Sequence, residues 1–326
     1  MSEGKILVIG AHTILGELLI DRLEAQPDIS EFWVLDLHAP KRHKYKKMHF
    51  IKVDLVQPGA DAHLAGIFKE LKAETVVHCA LKNNPSHQPG EAHELEVIGT
   101  INILSACKAA DVRKFVFCST TMVYGASPKN PNYIAETAPL ATHADSYFVR
   151  DKIEAEKQVA LLFSESPQMK VTVLRFSLIV GPRSENYFTA LLRRPFVPTL
   201  LGYDPLIQFV HENDAAEALA KASLQDFPGV FNIVGKGVIP LSYALREAGK
   251  INIPVLPAFA YSLVQTFWNL QMSAVPGRLL DYFRYLWVAD GEKARRIMNF
   301  EPTYSSKDAF MDLAKSQRVQ EYSWVQ

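Results

Sequence analysis

Short apolar runs alternating with segments of helical spacing predict an α/β protein on a parallel, doubly wound sheet, with a smaller lobe after it. Two observations carry this. The runs are apolar at nearly every position, as strands covered on both faces require. The helical segments between them are long enough to serve as crossovers between parallel neighbours. Taken in order, "KILVIG" (Lys5 to Gly10) is the first strand and "ILGELLIDRLEA" (Ile14 to Ala25) the first helix. "FWVLD" (Phe32 to Asp36) and "HFIKVDL" (His49 to Leu55) are the next strands. "DAHLAGIFKELK" is a helix leading to the strand "TVVHCA" (Thr75 to Ala80). A long helix near Glu91 to Ala110 precedes the strand "KFVFCST" (Lys114 to Thr120). A further helix from Ser146 to about Phe163 precedes the strand "KVTVLRF" (Lys170 to Phe176). Beyond Pro182 prolines and aromatic clusters multiply, as in a smaller lobe packed over a sheet edge. The division is mainly 1–180 and mainly 181–326, with the chain crossing between lobes more than once.

The 326 residues suffice for one large or two modest domains with a sizeable core. With 48% hydrophobic and 21% charged residues, the composition is that of an ordinary soluble globule. Lys plus Arg and Asp plus Glu are both 35, so net charge gives no general reason to expect nucleic acid or an acidic membrane as partner. The local exception, "KRHKYKK" from Lys41 to Lys47, reads as a solvated basic loop. Cys79, Cys107 and Cys118 have no metal or disulfide spacing and read as buried thiols in a reducing compartment. The amino terminus runs almost directly into a strand, leaving no room for a signal peptide. Ile251 to Leu270 is interrupted by Pro254, Pro257, Gln265 and Asn269, a poor membrane span. The expectation is a cytoplasmic protein without a resident metal.

The first strand, turn and helix, "VIGAHTILG", carry a ligand signal. Gly10 allows a tight turn out of the strand, and Gly16 lets the helix pack closely on the sheet. The helix start can then hold a pyrophosphate on its amides, the arrangement of a Rossmann-type fold. Asp36 ends the next strand, 20 residues after Gly16. A carboxylate there accepts from adenosine ribose hydroxyls and repels a 2′-phosphate, favouring NAD over NADP. Thr13 stands where three-residue glycine spacing expects a glycine. Its branched Cβ crowds the approach of phosphate, while its hydroxyl offers a donor; the adjacent His12 can do either or neither.

The whole chain resembles an extended short-chain dehydrogenase/reductase of the NAD-dependent epimerase/dehydratase family. The resemblance lies in "GAHTILG", Asp36, "VDL", "VVHCA", "EVIGTINIL", "FCSTTMVYG", "DKIEAE", "LRFSLIVGPR", "FVHENDAAEALAKA", "FNIVG" and "DGEKARRIMNFEPTYS". It implies NAD contacts at Gly10, His12, Thr13, Ile14, Gly16, Asp36, Asp54, Leu55, Ala80 and Lys152. It implies substrates such as nucleotide sugars or, in some branches, sterols and other carbonyl compounds, and a homodimer through the helices near Glu91 to Ala110 and Ser146 to Phe163. The family's chemistry sets a phenol four residues before a lysine on one helix face, beside a Ser or Thr hydroxyl. Thr120 matches the hydroxyl and Lys152 the lysine. Four residues before Lys152 stands Phe148, and the neighbouring Tyr147 is five residues away, about 140° around a regular helix. Glu96, Leu178 and Thr13 also depart from the family pattern.

Three readings follow from these residues. One is a divergent NAD-dependent oxidoreductase or epimerase, with Tyr147 relaying the proton. Another is a catalytically silenced relative that binds NAD(H) as a cofactor-responsive sensor or scaffold. In the last the cofactor too is lost and the fold serves partner contacts. Arg175 and Arg183 suit either an anionic ligand such as a nucleotide-sugar phosphate or an interlobe ion pair. "LPAFAYSLVQTFWNLQ" and "LLDYFRYLWV" read chiefly as lobe core. Were they exposed, a sterol- or isoprenoid-like molecule would fit that surface better than a sugar. His78 reads as a satisfied histidine near the core, and Asp214 as the cap of a helix.

Overall fold

A computed structural model describes residues 5–40, 45–142, 144 and 146–323, with side chains to 319. Of the basic run, Lys41 to Lys44 lie outside the described residues. The first half runs β1 (Lys5–Ile9), α1 (Ile14–Ala25), β2 (Phe32–Asp36), β3 (Met48–Lys52), α2 (Ala60–Leu71) and β4 (Ala73–His78). Then come α3 (Pro89–His93), a π turn (Glu94–Ile98), α4 (Gly99–Ala109), β5 (Lys114–Thr120), α5 (Tyr147–Glu165) and β6 (Lys170–Phe176). The remainder is β7 (Leu178–Val180), α6 (Tyr187–Leu192), β8 (Phe196–Leu200), β9 (Leu206–Ile207), β10 (Phe209–His211), α7 (Glu212–Leu224) and β11 (Gly229–Ile233). It closes with β12 (Ile239–Pro240), α8 (Leu241–Glu247), β13 (Ile251–Val255), α9 (Pro257–Asn269), α10 (Glu292–Met298) and α11 (Ser306–Ser323).

The main sheet has seven strands in the order β11-β6-β5-β4-β1-β2-β3. Every pairing in it is parallel. The order reverses between β1 and β4, and an open α/β sheet places its ligand crevice at the strand ends beside such a reversal. Alternation along the strands explains why their sequences are apolar throughout. Ile6 and Val8 of β1 join a core layer with Leu19 of α1 and Leu219 of α7, while Leu7 and Ile9 face Leu64 of α2 and Ile103 of α4. Both faces of the inner strands are therefore roofed, while the edge strand β3 leaves His49 and Lys52 exposed.

A further core cluster gathers Phe188, Leu192, Phe209, Leu245, Phe283 and Phe310 from the second half with Met122, Val123 and Phe148 from the first. In return α7 packs on α1 and β11 pairs with β6 as the edge of the main sheet. The long helix expected near Glu91 to Ala110 is instead α3 and α4 joined through the π turn. Such an extra-residue bulge turns a side chain out of helical register and recurs at functional sites. Here Glu96 lies within it.

Candidate dinucleotide and catalytic-type site

The turn after β1 is fixed by its glycines. Gly10 has φ +100°, and a Cβ there would lie 2.4 Å from the Ala80 backbone nitrogen. At Gly16 a Cβ would fall 1.9 Å from the Gly10 carbonyl oxygen. Thr13, between them, is the N-cap of α1 in extended conformation (φ −82°, ψ 152°), which needs no glycine. Its hydroxyl donates to the Gly10 carbonyl and accepts from the Gly16 amide, both at 3.0 Å. The hydroxyl proton is thus committed within the turn. The Glu17 amide goes to the Thr13 carbonyl, so the first-turn amides left for a ligand are those of Ile14 and Leu15.

A cavity of about 950 Å³ opens above this turn, at the upper end of the range of ligand sites. Gly10, His12, Thr13, Ile14, Asp36, Asp54, Leu55 and Ala80 all line it. Gly16 does not line it, and its part is to bring the helix start close to the strand. Asp36 caps β2 at the cavity wall. One carboxylate oxygen accepts from the His12 amide and the other from the His38 amide, each at 3.3 Å. The glycine cradle, the two uncommitted amides and the wall carboxylate fit a dinucleotide, with pyrophosphate at the helix start and a ribose at Asp36.

A second recess of about 80 Å³ continues from the first and shares Thr13, Ile14, Leu81, Lys82, Asn83 and Glu185 with it. Thr120, Phe148 and Lys152 line this recess, together with Cys79, Cys118, Met122, Tyr187 and Trp287. Its chemistry is dominated by a buried knot. The Lys152 ammonium donates to Glu96 Oε1 at 3.0 Å and to the Lys82 carbonyl at 2.7 Å. The Lys82 amide donates to the same Glu96 oxygen at 2.7 Å. Lys152 also stands 4.5 Å over the Phe148 ring, a cation–π contact. Lys152 and Glu96 are 6% and 1% exposed, so neither charge has water to fall back on. Burial pushes the Glu96 carboxyl up, outweighing the downward pull of Lys152.

Phe148 is buried and packs edge-on against Tyr187, with ring centroids 6.1 Å apart. Tyr147 is 57% exposed, lines neither cavity and holds the Arg150 guanidinium 4.3 Å from its ring. Successive residues on a helix diverge by 100°, which puts Tyr147 on the solvent face when Phe148 faces inward. The phenol that does line the recess is Tyr187. Its hydroxyl donates to Met122 Sδ at 3.6 Å, and burial pushes its pKa well up, so it is a neutral hydroxyl and not a base. Thr120 accepts from the Met122 amide at 3.3 Å.

The two arginines separate. Arg175 is 5% exposed and lines neither cavity. It pairs with Glu156 and donates to the Tyr124 hydroxyl at 2.8 Å, which in turn donates to Asn232. Arg183 lines the large cavity, but its guanidinium is held by Asp21 at 2.9 Å and Glu17 at 3.2 Å on α1. His78 is fully buried against the Thr100 hydroxyl at 2.9 Å, and burial lowers its pKa to about 3. His211, not Asp214, caps α7, accepting from the Asn213 amide. Asp214 lies in the first turn and accepts from the Thr303 and Tyr304 amides. Among the described residues no group of three potential ligands is placed to hold a metal ion. Lys82, Asn83, His38 and Tyr187 line the cavities without having been singled out from sequence. Lys82 and Asn83 stand two and three residues beyond the "VVHCA" strand signal.

A glycine cradle at the first strand end, an acidic residue at the second and a lysine on the helix after the fifth stand on a Rossmann-type α/β fold of the extended dehydrogenase type. The chain belongs to the NAD dependent epimerase/dehydratase family, whose model matches residues 6–233. An uncharacterized protein of Mycobacterium tuberculosis strain H37Rv is 32% identical, over 94% of this chain and 82% of its own length. A UDP-glucose 4-epimerase of Mycolicibacterium smegmatis is 26% identical over 91% of this chain and 93% of its own. The fold matches the UDP-glucose 4-epimerase of Thermus thermophilus in its complex with NAD, with a TM-score of 0.73 and 21% identity over 96% of this chain and 99% of that one.

Proposed function

We propose that this chain binds NAD(H) in the 950 Å³ cavity but lacks the family's phenol–lysine proton relay, and so acts as a cofactor-responsive protein. The observation that carries this is the closed Glu96–Lys152–Lys82 knot over Phe148. An ammonium neutralised by a buried carboxylate cannot lower a neighbouring phenol's pKa as a free one does. No phenol stands at the matched position in any case, and Tyr147 lies outside the recess. Bound NAD would supply hydride chemistry. Gly10, Ile14 and Leu15 would meet its phosphates, Asp36, with His12 beside it, its adenosine ribose, and Asp54, Leu55 and Ala80 its adenine side. Asp36 favours NAD over NADP. Thr120 and Tyr187 would offer hydroxyls to a second ligand in a recess whose lining is mostly apolar, which favours an apolar carbonyl compound over a nucleotide sugar. Arg183, at the cavity wall, would meet an anionic group of such a ligand only by giving up part of its pairing with Asp21 and Glu17.

The reading includes a cytoplasmic homodimer through α4 and α5, supported by Leu161 and Phe163, which α5 leaves 53% and 44% exposed. Among the described residues no helix is long and apolar enough to cross a membrane. The test combines calorimetry with NADH and NADPH and assays of the native protein and of Phe148→Tyr combined with Glu96→Asn. NADH binding by both proteins, with reductase or epimerase turnover only in the double variant, supports the reading. Turnover by the native protein that Thr120→Ala or Lys152→Met abolishes overturns it, as does failure of the native protein to bind NADH.

A further inference from the structure

Residues 186–203 and 248–280 carry Arg193, Arg194, Lys250 and Arg278 and no Asp or Glu, in a chain with 35 acidic residues. These two segments meet in space, because β8 and β13 pair in parallel. Their register sets Ile251 beside Phe196 and Ile253 beside Pro198. These four side chains therefore share one face of the ribbon, and all four are exposed. α9 follows β13 directly and continues the apolar surface. Leu256, Phe259, Leu263, Phe267 and Leu270 recur at three- and four-residue intervals, one stripe of a helix, and are 39% to 66% exposed. Only Ala260 and Val264 of this helix are buried. Its remaining exposed side chains, such as Ser262, Thr266 and Asn269, are uncharged.

We infer that this face docks on the surface of an anionic lipid bilayer. Its charge complementarity selects that occupant. An apolar plateau whose own two segments carry basic residues and no carboxylate matches a membrane interface, where apolar side chains enter the acyl boundary and Lys and Arg meet anionic headgroups. A twofold contact between copies would instead set the basic rim against itself. Arg194 and Lys250 precede Phe196 and Ile251, so the basic charge gathers at one end of the ribbon. Carboxylates border both segments: Glu185 pairs with Arg193 and offsets it, Glu247 pairs with Arg246, Asp204 bonds Ser242 and Asp281 the Tyr261 hydroxyl, so the positive charge of the face rests on Arg194, Lys250 and Arg278. α9, with 13 residues, is too short to span a bilayer of about 30 Å and so lies along its surface. The surface adjoins the cleft. The His87 ring stacks on Trp268 of α9 at 3.6 Å, and Asn83 and Asn84 of the same loop line the large cavity. Docking would set the cavity mouth beside the lipid phase.

The experiment is flotation of the full chain with vesicles of phosphatidylcholine, with and without phosphatidylserine, at low and high salt. Binding to the anionic vesicles is expected to exceed that to neutral ones by about tenfold or more and to weaken with salt. Phe259→Asp with Leu263→Asp is expected to cut binding about tenfold or more, while Arg194→Gln with Lys250→Gln removes the preference for anionic vesicles. All four positions are partly or fully exposed, and circular dichroism checks that the fold is kept. If a variant fails to fold, the salt and lipid dependence of the native chain still decides. Absence of flotation overturns the inference. So does a native dimer that Phe259→Asp converts to monomer with no vesicle binding, which would make a second copy the occupant.

Discussion

Replacing Glu96 by Ala removes one partner of the buried knot and leaves the Lys152 ammonium with only the Lys82 carbonyl and the Phe148 ring. Stripping one partner from a buried ion pair costs about 3–5 kcal/mol, because the surviving charge stays out of water. Lys152→Met is milder, since the Glu96 carboxyl, already pushed up by burial, can take a proton. In the double variant no charge remains, so its cost falls below the sum of the two singles by about 1–3 kcal/mol. Unfolding entropy of about 2 cal/mol/K per residue makes 3–5 kcal/mol a fall of about 4–7 °C in melting temperature for a chain this long. Guanidinium and thermal unfolding of the native protein and the three variants supply the cycle. Additivity within about 0.5 kcal/mol would refute the reasoning, leaving Lys152 uncoupled from Glu96 and available to a bound cofactor.

Other consequences are as direct. Gly16→Ala places a methyl 1.9 Å from the Gly10 oxygen and should cost several kcal/mol and abolish NADH binding; a stable variant that titrates normally in calorimetry would contradict the turn geometry. Thr13→Val loses the helix cap and should cost about 1 kcal/mol in denaturant unfolding, and Thr13→Gly only a few tenths. His78 is held neutral with its pKa lowered to about 3, so the unfolded chain takes up a proton first as pH falls. Its stability contribution is complete above about pH 6.5 and is lost toward pH 3 at up to about 1.4 kcal/mol per unit. His78→Gln should flatten the unfolding profile there. For Glu96 the sign reverses. Its raised folded pKa makes its contribution full below about pH 4.5, and the contribution is lost as pH rises through the folded value. The stability of the native chain relative to Glu96→Gln should therefore fall over that window.

The main sheet was readable because its signals are local. The spans of α1, β2, β5 and β6 follow from apolar run length and flanking turn residues, and the structure gives each the same bounds. The Glu96–Lys152 knot was not readable. Glu96 was visible as a departure from the family pattern, but its partner lies 56 residues away, brought into reach by a π turn that has no distinct sequence signature. Arg175 shows the same limit: a strand arginine gives no sign of whether it meets a ligand or, as here, Glu156 on the neighbouring helix. α9 reads as core by composition, since a stripe at helical spacing is written alike whether it faces protein or solvent. Net charge, zero over the chain, concealed two segments without a carboxylate.

The return of β11 to the edge of the main sheet bears on how this protein is made. Until residue 233 has left the ribosome, β6 presents a bare row of amides and carbonyls to its surroundings. Neither α7, which roofs α1, nor β11 exists for a nascent chain that stops before residue 212. A fragment ending near residue 180 would hold the whole glycine turn yet keep an open strand edge and an uncovered apolar face. Synthesis must therefore carry the chain well past its glycine turn before the layer that covers α1 can close, and a nascent chain stalled in that interval is the form most exposed to aggregation.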